Sequence, residues 1–272
     1  MNEETNKEIT LKEMQSIELE MLKYLHKICT DNDLTYYLYG GTLLGAVRHQ
    51  GFIPWDDDLD IIVPRKDYER LIRILKEKEE YKLLSYEYVE DYYYPFAKLV
   101  DPSTKLVEFG MRECSEMGVW VDIFPLDVTS KTPFLRTLHI RLVRKLVGMN
   151  RYKAAEPESI KRYLDTPIKR IRYSFTEHFN SHKIIKWIHR ISGIYRNRDT
   201  GVATDAIWGS RPDLIYDANW FGEPASLPFE GTAFYVPSDY KALLIKIFGD
   251  YMKLPPESKR YSEHLYSCWR VK

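Results

Sequence analysis

Apolar residues recur along this chain with two periods, one typical of helices and one typical of strands. The helical period predicts helices over residues 8–30, over 65–79 behind Pro64, and over about 238–248 behind a capping Ser238. Short apolar runs predict strands at Leu34–Tyr39, 81–88, 95–100, 105–109 and Gly118–Phe124. Strands that alternate with helices indicate the α/β (α+β) class.

Residues 131–200 interrupt this alternation. They contain few strand signals and predict two or three helices, with an apolar stripe at Leu135, Leu138, Leu142 and Leu146. We therefore predict three parts: a core over 1–130, a helical insertion over 131–200, and a C-terminal part over 201–272 that completes the core.

The charge of the chain is balanced overall but unevenly placed. Lys plus Arg and Asp plus Glu each number 40 in 272 residues, yet residues 131–200 hold 17 basic and five acidic residues, an excess of 12 positive charges. An asymmetry of this size points to an anionic partner or surface. Apolar residues make up 44% of the chain, which is typical of a folded protein.

The termini and the apolar runs bear on location. The N-terminal residues MNEETNKEIT are polar and lack the apolar region of a signal peptide, and no apolar run reaches 18 residues. From these features we expect a cytoplasmic protein, with peripheral contact at the inner face of the plasma membrane as a further expectation.

The stretch from Gly40 to Val63, GGTLLGAVRHQGFIPWDDDLDIIV, contains the strongest chemical signal. Alternation along a strand places Asp58 and Asp60 on one face and leaves the intervening Leu59 for the core. Carboxylates held this close repel one another unless cations lie between them, and hard oxygen ligands suit Mg²⁺ or Mn²⁺. A solvated acidic turn is the alternative. The apolar strand, and the upstream Gly-Gly turn that opens a helix and can hold a phosphate, favour a site.

Asp122 is the anomaly of the later strand GVWVDIF, because it is flanked by Val121 and Ile123. A buried charge without a partner is costly. Asp122 is therefore either a third carboxylate beside Asp58 and Asp60, or a structural residue that caps a turn or pairs with a core arginine. We expect Asp127, in the loop that follows, to be structural.

These motifs resemble the signature of the nucleotidyltransferase fold, and more narrowly the LicD family. The resemblance lies in YGGTLLGAVRHQGFIPWDDDLDIIVPRKDYERL, in WVDIFPLD and in VPSDYKALLIKIFGDYMKLPP, and it covers residues 8–130 and 201–265. The family includes phosphocholine transferases of bacterial surface glycans and is similar to the fukutin-type ribitol-phosphate transferases. It implies a nucleotidyltransferase-like mixed sheet flanked by helices, here with a basic helical insertion.

The resemblance also implies a reaction. Phosphocholine, or a related phospho-alcohol, would pass from a CDP-linked donor to a hydroxyl of a glycan precursor such as lipopolysaccharide or teichoic acid, with CMP as the leaving group. Two Mg²⁺ or Mn²⁺ ions would be held by Asp58, Asp60 and Asp122, and Asp122 would accept the hydroxyl proton. The expected partners are a CDP-choline-type donor and an anionic or lipid-linked glycan acceptor, with no nucleic acid.

Six residues follow from the resemblance as donor-binding candidates: Gly40, Gly41, Thr42, Arg48, His49 and Lys98. The arginine could pair a phosphate oxygen through two bonds. For His49, a hydrogen bond that braces the loop is an equal alternative. Trp55 and Tyr39 could contact a choline ammonium, although packing in the aromatic core is the commoner use of such residues.

Three functions remain open at this level. The first is the phospho-alcohol transferase. The second is a nucleotidyltransferase that keeps the nucleotide on its product and releases pyrophosphate, and the third is a non-catalytic binding fold. For the basic segment 131–200, with Phe175, Trp187 and Tyr195, we expect contact with a membrane surface. A solvated basic face and a grip on the acceptor are the alternatives.

Overall fold

The structure is a computed structural model, and it describes residues 7–164, 166–208, 215–262 and 265–271. Residues 1–6 of the polar N-terminal stretch lie outside the described residues. The strands are β1 (Tyr37–Leu38), β2 (Leu59–Pro64), β3 (Lys82–Leu84), β4 (Ala97–Val100), β5 (Thr104–Glu108), β6 (Trp120–Val128), β7 (Val202–Thr204), β8 (Ile215–Asp217), β9 (Ala225–Phe229), β10 (Thr232–Val236) and β11 (Tyr266–Arg270).

The α-helices are α1 (Leu11–Asp31), α2 (Gly40–His49), α3 (Arg65–Lys76), α4 (Pro133–Ala154), α5 (Pro157–Tyr163), α6 (Pro167–Glu177), α7 (Ser181–Ser192) and α8 (Tyr240–Phe248). Short 3₁₀ helices lie at Gly193–Tyr195, Ala218–Phe221 and Glu257–Lys259. Among the described residues, no helix combines the length and hydropathy that crossing a bilayer requires.

The predicted α/β class is confirmed. Strands β1, β2, β6, β4 and β3 lie side by side in that order, and β7 and β8 extend the same sheet from the far end of β6. The sheet is mixed, because β2 runs parallel to β6 whereas β1 and β4 are antiparallel to their neighbours. Separate two-stranded pairs are formed by β9 with β10 and by β11 with β5.

The core lies on the faces of this sheet. Strands β2, β4 and β6 are buried along nearly their whole length, as expected for strands at the centre of a sheet that is covered by helices. Helix α1 begins in a capping box, in which Thr10 and Glu13 satisfy each other's backbone N–H groups. It contributes Met21, Leu22 and Leu25 to the main core.

Several predicted boundaries are wrong in detail. The strand predicted at 81–88 is only Lys82–Leu84, because the chain turns after Ser85. The last long helix is capped by Asp239, whose carboxylate accepts from the Ala242 N–H, and Ser238 instead donates to the carbonyls of Asn219 and Trp220. After Pro255 and Pro256 the chain forms one more strand, β11, which was not predicted and which pairs with β5.

The segment 131–200 forms α4 to α7 and a 3₁₀ turn, more helices than the two or three predicted. Its apolar stripe faces outward for the most part. Leu135, Leu138 and Leu142 are exposed, whereas the buried side of α4 carries Val143 and Val147 among others. Helix α4 packs mainly against α7. The division of the chain at 130 and 200 stays a prediction.

Candidate active site

The site begins with a row of three charged residues across neighbouring strands. Asp60 on β2 lies beside Asp122 on β6, and Asp122 lies beside Lys98 on β4. Residues at facing positions of adjacent strands share a face of the sheet, so the three side chains meet. Asp60 and Asp122, both predicted as site residues, therefore come together because β2 and β6 are distant in sequence but adjacent in the sheet.

Asp58 joins this row from the residue before β2 begins. One carboxylate oxygen from each of Asp58, Asp60 and Asp122 lies within 4.8 Å of the others. These three side chains form what we call the acidic triad. Asp60 and Asp122 are buried, and Asp58 is half-buried.

The triad faces the start of helix α2. Gly40 adopts a left-handed φ of +53° where β1 turns into this helix, and a Cβ at Gly40 would lie 2.7 Å from Oδ2 of Asp60. A Cβ on Gly41 would lie 2.6 Å from Oδ2 of Asp56. Glycine is therefore required twice, once for the turn and once more because carboxylates approach the backbone closely.

The N-terminus of α2 has no side-chain cap, because its N-cap residue is Tyr39. The first N–H groups of a helix lack partners within the helix and favour anions. Oγ1 of Thr42, a predicted donor-binding residue, accepts from the Asp60 backbone N–H at 2.8 Å. Thr42 thereby fixes the helix to the strand that carries the triad.

The triad is electrostatically strained without a cation. Burial raises the pKa of Asp60 well above its usual value, and the charges of Asp58 and Asp122 raise it further. Oδ1 of Asp60 is buried and has no hydrogen-bond partner among the described residues. A buried carboxylate oxygen without a partner, inside a set of hard oxygen donors, fits Mg²⁺ or Mn²⁺.

Lys98 supplies the one cation that the structure shows in this row. Its Nζ donates to Oδ1 of Asp122 at 2.6 Å, and both side chains are buried. The ammonium also lies 4.3 Å from the centroid of the Trp120 ring and 4.7 Å from that of Tyr94. The structural alternatives for Asp122 were a turn cap and a pair with a core arginine. The structure shows a buried pair instead with a lysine, Lys98.

A second group of carboxylates adjoins the triad. Oxygens of Asp56, Asp57 and Asp58 also lie within 4.8 Å of one another, so Asp58 belongs to both groups. Asp57 is buried and accepts from Oγ of Ser262, which lies in the C-terminal segment 205 residues away. The acidic loop is thus attached to the end of the chain.

Glu18 is the residue that the sequence analysis missed. It is fully buried in α1, and neither carboxylate oxygen has a hydrogen-bond partner among the described residues. Burial raises its pKa well above the usual value, and the charge of Asp58 adds to the effect. A signal was available in the sequence, because Glu18 lies four residues after the apolar Met14 and therefore on the same face of the predicted helix.

Arg48 and His49 do not lie at the start of α2. They end the helix, about 12 Å along its axis from Gly40 at 1.5 Å per residue. Nε of Arg48 donates to Nε2 of His49 at 3.0 Å, and Nη1 donates to the Tyr251 carbonyl at 3.1 Å. Burial and the neighbouring Arg48 lower the pKa of His49.

The two aromatic candidates have partners of their own. Trp55 receives the guanidinium of Arg260 over its ring, at 5.7 Å from the centroid. Tyr39 is buried, and its hydroxyl bonds Oδ2 of Asp205 at 2.5 Å and the hydroxyl of Tyr216 at 2.6 Å. Asp127, predicted to be structural, pairs through both carboxylate oxygens with the buried Arg65.

Comparison with known proteins agrees with this geometry. Residues 33–141, which include the carboxylate triad and helix α2, match the family described as "LicD/FKTN/FKRP, nucleotidyltransferase domain". Over these residues the chain is similar to the nucleotidyltransferase domain of that family.

Two relatives illustrate the range of similarity. The chain is 29% identical over 275 aligned positions to the lipopolysaccharide cholinephosphotransferase LicD of Haemophilus influenzae, an alignment that covers 97% of this chain and 99% of the relative. An uncharacterized protein of Rickettsia prowazekii is 48% identical over 61 residues, which are 22% of this chain and 23% of that protein. The first alignment spans the basic segment as well as the catalytic core.

Proposed function

We propose that this protein is a metal-dependent phosphotransferase that moves phosphocholine, or a related phospho-alcohol, from a CDP-linked donor to a hydroxyl of a cell-surface glycan precursor. The observation that carries the proposal is the acidic triad beside the uncapped N-terminus of α2. The relative named as a lipopolysaccharide cholinephosphotransferase, aligned over nearly the whole chain, supports the same reaction.

Asp58, Asp60 and Asp122 are the residues that would hold Mg²⁺ or Mn²⁺, as two ions in our proposal. When bound, such ions would neutralise the negative charge of the donor phosphates. The remaining requirements of phosphoryl transfer are positioning and charge stabilisation, and these are met by groups of the protein.

Each of the protein groups around the triad has a separate role, which follows from its position. The backbone N–H groups at Gly40 and Gly41 bind a donor phosphate, as helix N-termini do for anions. Thr42 holds β2 in register with α2, and Lys98 fixes the orientation of the Asp122 carboxylate by bonding one of its oxygens. The acceptor oxygen forms a bond to phosphorus, the bond to the CMP oxygen breaks, and the proton of the acceptor hydroxyl passes to Asp122.

The acceptor class is proposed from the relative and from the charge of the chain. Lipopolysaccharide is the acceptor in the relative's name, and teichoic acid is a second anionic polymer of cell surfaces that carries sugar hydroxyls. The excess of 12 positive charges over residues 131–200 suits an acceptor that is anionic or that lies at an anionic surface.

We further propose that segment 131–200 holds the enzyme at an anionic membrane surface. On α4, Phe134, Leu138 and Leu142 recur every four residues and are exposed, with the exposed Arg141 and Lys145 on the same side. On α6, an exposed stripe is formed by Ile168, Ile171 and Phe175. Exposed apolar residues beside basic residues fit the interface of a bilayer that contains anionic lipids.

One experiment separates the proposed reaction from its alternative. The protein is incubated with Mg²⁺ and a glycan acceptor, once with CDP-choline and once with CTP, and released nucleotide and pyrophosphate are measured. CMP release with label on the glycan supports the transferase. Pyrophosphate release from CTP supports the nucleotidyltransferase. If neither CMP nor pyrophosphate is released, the non-catalytic binding fold is supported. Asp60→Asn is the inactive control, and Asp31→Asn on the exposed end of α1 is its matched control.

A further inference from the structure

An aromatic cluster lies next to the acidic triad on the same face of the sheet. Alternation along β6 places Phe124 on the face of Asp122, two residues or about 6.6 Å further along the strand. Phe96, just before β4, lies against Phe124 with ring centroids 4.6 Å apart. Tyr39 approaches the same ring edge-on, at 6.5 Å.

Trp208 covers this cluster from the segment after β7. Its ring stacks on Phe124 at 5.0 Å with 26° between the planes, and it meets Phe96 edge-on at 5.4 Å. It is nevertheless 38% exposed. Trp208 packs one ring face on Phe124, which shares a strand face with Asp122, and its exposed surface offers a second face for a ligand.

The surroundings favour a cation as that ligand. Asp205, three residues before Trp208, is buried, bonds the Tyr39 hydroxyl, and has no hydrogen-bond partner for its Oδ1 among the described residues. On the other side of Asp122, the rings of Trp120 and Tyr94 already receive the ammonium of Lys98. Aromatic faces near carboxylates attract cations, and tryptophan does so most strongly.

We propose that the exposed face of Trp208 is the subsite for the quaternary ammonium of the donor. The proposal rests on the proposed function, because it names the part of a CDP-choline-type donor that this surface binds. A flat slot for the pyrimidine base is disfavoured, because Trp208 and Phe124 are already in stacking contact and leave no gap for a ring. A trimethylammonium group needs only one exposed ring face.

The test measures binding of three ligands to the full-length protein with Mg²⁺ and without acceptor: CDP-choline, CDP-ethanolamine and CMP. Trp208→Leu should weaken CDP-choline binding about tenfold, the magnitude of one cation–π contact. CMP should change less than twofold and CDP-ethanolamine less than about threefold. Trp208→Phe should fall between wild type and the leucine variant. Trp187→Leu is the matched control, because Trp187 is 39% exposed and lies on α7.

Two results would overturn the proposal: an equal loss of CMP affinity in Trp208→Leu, which would make the ring a base platform, or no change in CDP-choline affinity. A second measurement separates this failure from failure of the proposed function. In protein labelled with 5-fluorotryptophan, tetramethylammonium should shift the Trp208 fluorine resonance, which the Trp208→Phe variant assigns. A shift without CDP-choline binding would retain the cation subsite and reject the donor, whereas CDP-choline binding without a shift would reject the subsite alone.

Discussion

Lys98 and Asp122 occupy facing positions on antiparallel strands, and Nζ of the lysine lies 2.6 Å from Oδ1 of the aspartate. The same aspartate lies beside Asp60 on its other side. Lys98 is therefore the protein's own counter-charge for a carboxylate group that also fits a metal. This position makes its removal informative about both stability and cation binding.

Lys98→Met should lower the free energy of unfolding of the metal-free protein by about 3 kcal/mol, because the buried carboxylate of Asp122 loses its ammonium partner. Lys98→Met combined with Asp122→Asn should recover most of that loss, since both charges are then absent. Denaturant titration measures both. Lys105→Met, which breaks the surface pair with Glu113, is the control and should cost less than about 1 kcal/mol. A Lys98→Met protein as stable as the control would show that the pair does not matter for stability.

Asp60→Asn should abolish turnover and leave the metal-free protein at least as stable as wild type, because it removes a buried carboxylate that its neighbours repel. Asp58→Asn should behave in the same way. From the sequence alone, Asp122→Asn is also expected to be at least as stable as wild type without metal. The pair with Lys98 now predicts that Asp122→Asn is less stable, since it leaves a buried ammonium without its partner.

Thermal melting with and without Mg²⁺ tests the metal site directly. Ligand that binds the native state must raise the melting temperature, so wild type should gain stability with Mg²⁺ and Asp60→Asn should gain much less. A wild-type melting temperature that ignores both Mg²⁺ and donor would count against the site.

Arg48→Lys tests a donor-binding role against a bracing role. A lysine cannot reproduce the two-bond fork of a guanidinium, so a phosphate contact predicts a clear loss of donor affinity. The bonds to His49 and to the Tyr251 carbonyl predict instead a loss of about 1 kcal/mol in unfolding free energy. Donor titration and thermal melting on the same protein decide. Unchanged donor affinity with lower stability would make Arg48 a structural residue only.

Asp205 should make stability depend on pH. Burial raises its pKa from 3.8 to about 6, so the folded protein retains a proton that the unfolded chain releases between these values. Stability from this group is therefore present below about pH 4 and is lost as pH rises to about 6, a change of about 3 kcal/mol. Asp205→Asn lacks the titration, so its advantage over wild type should grow across this range. Parallel urea titrations at pH 4.5 and 7 measure it, and equal differences at both would contradict the pKa shift.

The sequence predicted which residues share one face of a strand, but it did not predict which strands lie side by side. Alternation placed Asp58 and Asp60 together, but no local pattern shows that β6 and β4 lie beside β2, so the row from Asp60 to Lys98 needed the fold. Lys98 was predicted on an apolar strand without its partner. Glu18 was missed for the same reason, since its surroundings come from residues about 40 positions away and more.

The α4 stripe shows a second limit. Periodicity correctly predicted that leucines share one side of this helix, but it cannot show which side the core covers. The buried side is made of residues such as Ile140, Val143 and Val147, which pack toward α7, and the exposed leucines alternate with Arg141 and Lys145. An apolar stripe outside the core is a finding of the structure.

That stripe gives the proposed membrane contact its test. Wild-type protein should sediment with vesicles that contain anionic lipid and not with zwitterionic vesicles, and binding should fall as salt rises. Arg141→Glu with Lys145→Glu should weaken binding through charge, and Leu138→Ser with Leu142→Ser should weaken it through lost insertion. Arg144 is left unchanged, because it is half-buried and its charge acts on the buried Asp205.

The controls separate the membrane from the other anionic partner. Lys23→Glu with Lys27→Glu changes charge by the same amount on α1, outside the basic segment, and should leave sedimentation as in wild type. All four substituted positions on α4 are exposed, so circular dichroism should show the wild-type fold. If both α4 variants sediment as wild type does, but the charge variant raises the KM for a phosphate-bearing glycan, the basic face binds the acceptor. If the serine variant no longer sediments with vesicles and its KM is unchanged, this face of α4 binds the bilayer. Exposed leucines would not contribute to binding a soluble anionic glycan.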